Sequence, residues 1–164
     1  MGSGKTILAT RLGAALSAPV ISLDSFIAIR HGDHTYASRI AHARLSRRLK
    51  QTSRRHHRLL IEGVCLRAVM RHLRFRLMAM VYIKRVSDMG LWNDGLNLDT
   101  FERGAAFDFE HEEPRLSDNL YHLRYLPHQK ADFIVERPEN DDSGLTTAST
   151  RTRARAARAG NAGR

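Results

Sequence analysis

Apolar residues along the chain recur at two spacings. Between residues 6 and 16, Leu8, Leu12, Ala15 and Leu16 mark one face of a helix. Gly13 lowers the propensity of that helix slightly. Ser17 and Pro19 end it, and Pro19-Val20-Ile21-Ser22-Leu23 is a short apolar run of strand type with Asp24 directly after it. Residues 25–33 read as a loop with a turn at Gly32-Asp33. From His34 to about Arg54, Ala37, Ala41, Leu45 and Leu49 step by one helical turn and predict a long amphipathic helix. Arg58-Leu59-Leu60-Ile61-Glu62-Gly63 is a second apolar strand, ending in an acid and a glycine. Leu66, Val69, Met70 and Leu73 return to helical spacing. Leu77-Met78-Ala79-Met80-Val81-Tyr82-Ile83 is continuously apolar, as a strand buried on both faces would be.

Strand, helix, strand, helix and strand in alternation predict an α/β domain with a mainly parallel sheet and right-handed crossovers. Residues 87–114 lose clear periodicity and read as short helices and loop. Ser117 is placed to cap a helix carrying Leu120 and Leu123, which Pro127 should end. Residues 131–136 look like a last strand, with Phe133, Ile134 and Val135 apolar. Beyond Arg137-Pro138 the composition turns to Ser, Thr, Ala, Gly and Arg, which predicts a domain over residues 1–138 and a disordered basic tail over 139–164.

Chemistry concentrates at the start. Met1-Gly2-Ser3-Gly4-Lys5-Thr6 reads as the second half of a phosphate-binding P-loop, G-x-x-x-x-G-K-[ST]. Glycines let the backbone curl so that consecutive N–H groups face a phosphate. Lys5 adds a point charge at the β- and γ-phosphates, the Thr6 hydroxyl suits Mg²⁺, and the following helix directs its positive end at the same anion. Gly2, Ser3, Gly4, Lys5 and Thr6 are therefore the expected nucleotide-binding residues. Asp24 and Glu62, each at the carboxyl end of a predicted strand, fall on the edge where parallel sheets bind ligands. A carboxylate there holds a metal through water or takes a proton from an attacking hydroxyl.

The chain of 164 residues is long enough for one α/β domain with a core. No run is long and apolar enough for a membrane-spanning helix, and the start lacks the pattern of a signal peptide, so a soluble, cytoplasmic protein is expected. Cys65 is the lone cysteine and excludes a disulfide framework or a thiolate metal cluster; a small buried residue is its natural reading. The net charge of +10 raises nucleic acid as a partner. Much of that charge stands in Arg151, Arg153, Arg155, Arg158 and Arg164, and more in the block around Arg47-Arg48 and Arg54-Arg55. A solvated basic surface is the plainer reading. His111-Glu112-Glu113 with His122 and His128 match no standard metal-ligand spacing and read as solvated loop and helix residues. Trp92, Phe101, Phe107 and Phe109 are expected to fasten loops to the core, with stacking on a base as the alternative.

Taken together, Gly2-Ser3-Gly4-Lys5-Thr6, Ile21-Ser22-Leu23-Asp24-Ser25-Phe26, Leu60-Ile61-Glu62-Gly63, and Tyr121-His122 through Pro127 with Ala131-Asp132-Phe133-Ile134-Val135 resemble the uridine kinase-like branch of the P-loop nucleoside and nucleotide kinases. The likeness covers roughly residues 2–137. It implies the three-layer α/β/α fold of P-loop NTPases and ATP·Mg²⁺-dependent transfer of the γ-phosphoryl group to a small hydroxyl acceptor such as a nucleoside. Carried over by position, Lys5 would stabilise the transferring phosphoryl group, Asp24 would deprotonate the acceptor, and Thr6 with Glu62 and Asp24 would attend the Mg²⁺. Arg103 and Arg85 are candidates for a phosphate clamp, with a surface role the simpler alternative for each. Where the family has a tyrosine and a substrate loop, this chain has Ile27-Ala28-Ile29-Arg30, so the acceptor stays open.

The first glycine of the motif belongs five residues before Gly4, and the strand feeding the loop belongs before that. A sheet lacking its central first strand is expected, with two strand edges facing a slot through the core, and with weak folding and weak ATP binding as a result. Two further classes share these features. A P-loop ATPase or GTPase driving a partner would use Asp24 to orient water, and a non-catalytic nucleic-acid-binding remnant would use the arginines.

Overall fold

The computed structural model describes residues 4–28, 35–87, 115–138 and 149–152. Helix α1 spans Lys5–Leu16 and is followed by strand β1, Val20–Ser22, whose chain passes straight into a 3₁₀ turn at Leu23–Phe26. A second 3₁₀ turn, Tyr36–Arg39, precedes α2, His42–Ser53. Strand β2, Leu60–Glu62, leads to α3, Leu66–His72, and then to β3, Val81–Val86. Helices α4, Arg115–Tyr125, and α5, Pro127–Lys130, precede β4, Phe133–Pro138, and β5, Ser149–Thr152.

The strands form two small sheets. β1 and β2 pair in parallel with Ser22 opposite Glu62. β3 and β4 pair in parallel with Arg85 opposite Arg137, and β5 adds to β4 antiparallel. The mixed α/β class with parallel strands is thus observed. Among the described residues no ladder joins β2 to β3.

α1 packs on β1 and β2 through Ala9 and Gly13, its buried residues. Gly13 is more than a weak helix former: a Cβ there would come within 2.6 Å of Val20 Cγ2 and 3.0 Å of the Ala18 carbonyl. The missing side chain lets helix and strand approach closely. The core joins Ile21 and Leu23 to Ile40, Leu45 and Leu49 from α2 and its entry, and to Val69 and Met70 of α3. Each such side chain contributes about 1.5–3 kcal/mol on burial.

Four expectations are revised. The helix expected from His34 begins only at His42. Ala37 lies in the 3₁₀ turn, and the segment is instead tied back by an Ile27–Ile40 bridge, with the Ala28 N–H bonded to the Arg39 carbonyl (2.9 Å) and the Ala41 N–H to the Phe26 carbonyl (2.8 Å). The apolar run at 77–83 is not one strand buried on both faces: β3 starts only at Val81, which is 40% exposed, and Met78, 92% exposed, lies in the bend ahead of it. Ser117 lies inside α4 and does not cap it, although the helix does end at Tyr125, ahead of Pro127, as expected; Pro127 stands in the first turn of α5, where its missing N–H costs nothing. Residues 149–152, inside the tail read as disordered, form β5; the rest of that tail lies outside the described residues.

Candidate functional site

Gly4 caps α1 with φ 81°, ψ 8°, a left-handed conformation that glycine adopts without strain. Its carbonyl accepts the Leu8 N–H at 3.0 Å, so the turn is continuous with the helix. Lys5 is half-buried, whereas Thr6 is exposed on the first turn and its carbonyl accepts the Thr10 hydroxyl at 2.8 Å. The guanidinium of Arg137, near the end of β4, lies against this turn: a Cβ on Gly4 would meet Nη1 at 2.5 Å. The helix start therefore gathers its dipole, Lys5 and a second cation from another element.

The two acids lie at or just past the ends of the paired strands. Glu62 is the last residue of β2 and opposite Ser22, and Asp24 is two residues past Ser22. Leu23 fills the space where a side chain on Gly63 would sit, within 2.6 Å, and this locks the two strand ends together. Glu62 is buried and lines the same cavity as Lys5; Asp24 is exposed at its strand end. The Tyr36 hydroxyl donates a hydrogen bond to Asp24 Oδ1. Burial pushes the Tyr36 phenol far above its ordinary range, aided by that bond and by the nearby Asp24, Cys65 and Glu62. Tyr36 therefore stays protonated and acts as a donor. Arg44 of α2 completes the setting, with its Nη2 bonded to the Ser25 carbonyl and its Cζ 5.0 Å above the Phe26 ring.

Of the expected site residues, Gly4, Lys5 and Thr6 form the start of α1, Lys5 and Glu62 line one cavity, and Asp24 lies outside that lining, past the end of β1 and bonded to Tyr36. Gly2, Ser3 and Arg103 lie outside the described residues, as do His111, Glu112, Glu113, Trp92, Phe101, Phe107 and Phe109. Among the described residues no group of three or more His, Cys, Asp and Glu is poised to hold a metal ion. Arg85 lines the cavity shared by Lys5 and Glu62.

No family model, curated protein or solved structure matches this chain.

Tyr36 and Arg137 escape the sequence reading. Arg137 had one available signal, its place at the carboxyl end of the last parallel strand, on the edge where ligands bind. Tyr36 had none, because its approach to Asp24 depends on how the 3₁₀ turns fold back. Two other residues are corrected. His122 and His128 are buried, not solvated, because α4 and α5 turn them inward beside β3. His122 Nε2 lies 2.8 Å from the Tyr82 hydroxyl, and the two imidazoles stack with centroids 5.8 Å apart. Neighbouring Tyr121 accepts the Arg67 N–H at 3.3 Å; burial raises its phenol strongly, against the opposing effect of that N–H. Cys65 is buried at the start of α3, as expected. Among the described residues no helix is long and apolar enough to cross a membrane.

Proposed function

We propose that this chain is a phosphotransferase of the P-loop type, similar to the uridine kinase-like branch, which moves the γ-phosphoryl group of ATP to a hydroxyl of a small acceptor such as a nucleoside. The observation that carries the proposal is the left-handed Gly4 turn with Lys5 opening α1, the Arg137 guanidinium against that turn, and the buried Glu62 lining one cavity with Lys5.

The residues fit Mg²⁺·ATP in kind. Helix N–H groups and Lys5 would hold the phosphates. The exposed Thr6 hydroxyl and Glu62 would attend the metal, directly or through water, since phosphate oxygens fill much of its coordination. When bound, Mg²⁺·ATP supplies the transferable phosphoryl group and neutralises its charge. Lys5 and Arg137 place positive charge where negative charge grows on the phosphoryl oxygens. Asp24, exposed at its strand end, accepts the proton of the acceptor hydroxyl, and Tyr36 holds it in place through Oδ1.

The test is acceptor-dependent ADP release with Mg²⁺ and a panel of nucleosides, sugars and vitamins. Asp24→Asn should lower transfer on the order of 100-fold or more while leaving nucleotide affinity within about twofold. Release that ignores the acceptor assigns the site to hydrolysis and refutes transfer, as does unchanged turnover in Asp24→Asn.

A further inference from the structure

A second hollow, of about 680 Å³, lies at the opposite rim of the β3–β4 pair. Met80 and Asp132, the residues just ahead of these parallel strands, stand in its wall. It therefore opens at their amino ends, away from Arg85 and Arg137 near the carboxyl ends. Hydrogen bonds fix this rim: the Asp132 and Phe133 N–H groups donate to the Met80 carbonyl at 2.9 and 3.1 Å, and Asp132 Oδ2 accepts the Met80 N–H at 2.8 Å. Four cations line the hollow from three helices: Arg67 and Arg71 of α3, Arg124 of α4 and Lys130 of α5. Among the described residues Asp132 is the one acid in the lining, and its carboxylate is already engaged by Met80.

We propose that this hollow binds an anion carrying several phosphate groups, as a nucleic-acid strand or a free polyphosphate chain does. Local helix chemistry explains only part of the cluster. Arg71, Arg124 and Lys130 each stand in the last turn of a helix, where a cation is favoured. Arg67 stands in the first turn of α3, where the dipole opposes a cation, and its Nη1 donates to the Lys130 carbonyl at 3.2 Å. That bond ties α3 to the end of α5, and Arg71, four residues on, shares the Arg67 face of the helix. A guanidinium carries five N–H donors, so the bond leaves Arg67 most of its capacity for phosphate oxygens. Arg71, Arg124 and Lys130 are exposed, and the repulsion among cations gathered in one hollow is relieved by a multivalent anion. Three of the four are arginines, whose planar forks match phosphate oxygens in pairs. Phosphates rather than bases are read here, because the Tyr125 ring already has Arg124 Cζ 5.8 Å from its centroid and the Tyr121 ring at 5.5 Å. The site is independent of the phosphotransfer reading: none of the four cations lines the cavity of Lys5 and Glu62.

The probes are a fluorescein-labelled oligothymidylate of about twelve nucleotides and inorganic tripolyphosphate. Each is added to the full chain, with binding followed by anisotropy or calorimetry across a salt series. Arg71→Ala combined with Arg124→Ala, both at exposed positions, should weaken binding of at least one probe about tenfold. For the oligothymidylate it should also flatten the slope of log affinity against log salt by about 1.4, since each lost phosphate contact removes about 0.7. Arg47→Ala combined with Arg48→Ala removes equal charge from exposed positions on α2 and should leave both affinities within about twofold. A loss confined to the oligothymidylate assigns the site to a nucleic-acid strand, and one confined to tripolyphosphate to a free polyphosphate. The proposal is overturned if neither probe binds, or if poly-glutamate of equal charge competes as well as either. It is overturned also if the two arginine pairs contribute equally, which assigns binding to the basic surface at large.

Discussion

Asp24 is held by one side chain that comes from twelve residues away in sequence. Tyr36 donates to Oδ1 and, with its phenol pushed far up by burial and by the neighbouring carboxylates, it cannot become an anion under working conditions. One carboxylate oxygen is thereby tied to the Tyr36 hydroxyl. Removing the hydroxyl with Tyr36→Phe leaves the ring in place, so the fold should be little changed. Turnover should fall about tenfold, the effect of losing one orienting bond to a charged group. Nucleotide affinity should be unchanged, because Tyr36 is not among the residues gathered at the Gly4 turn. A paired drop in turnover and affinity, or no change in turnover, would refute the positioning role. None of this was legible in the residues. Tyr36 sat inside an apparent helical repeat, Ala37, Ala41, Leu45 and Leu49, of which only Leu45 and Leu49 belong to α2. A spacing of four fits any segment that continues into a helix, and it carries no information on a chain that folds back.

Between elements, the sequence spoke most clearly where burial is simple. The runs around Ile21, Ile61 and Val135 and the stripe of Leu45, Leu49, Val69 and Met70 announced strands and helices because one buried face imposes one period. It spoke least where polar rings bind elements together. His42 opens α2 and His72 ends α3, and their imidazoles lie 4.1 Å apart between centroids. Burial, then the neighbouring His72, lowers the His42 pKa below its ordinary 6.5. In the folded protein His42 thus binds a proton less readily than in the unfolded chain. The unfolded state takes up more protons as pH falls through about 6.5, so stability present at pH 7 declines from there towards the lower folded value. Melting midpoints should fall between pH 7 and pH 5, and His42→Gln, neutral throughout, should flatten that slope. An identical slope in the variant would place the effect elsewhere.

At the scale of the whole molecule, the two small sheets frame the candidate chemistry: among the described residues no ladder joins β2 to β3, and Lys5, Glu62 and Arg85 line the cavity between them. Adjacent strands stand about 4.8 Å apart, so one strand inserted between β2 and β3 needs those edges about 9.6 Å apart. That strand would emerge beside Gly4, because α1 starts at Lys5 and lines the same cavity as Glu62 and Arg85. Tethering removes the entropic cost of capturing a strand from solution, since a short link gives an effective concentration in the millimolar range. A chain engineered with an apolar five-residue strand and a glycine-led loop ahead of Met1 should melt several degrees higher and bind ATP about tenfold more tightly. A glycine-serine extension of equal length should do neither. Exchange measurements distinguish the causes: protection of Leu60–Glu62 and Val81–Val86 together means the strand has joined both sheets. Tighter ATP binding without that protection would assign the gain to the added loop alone and detach the phosphate site from the cavity.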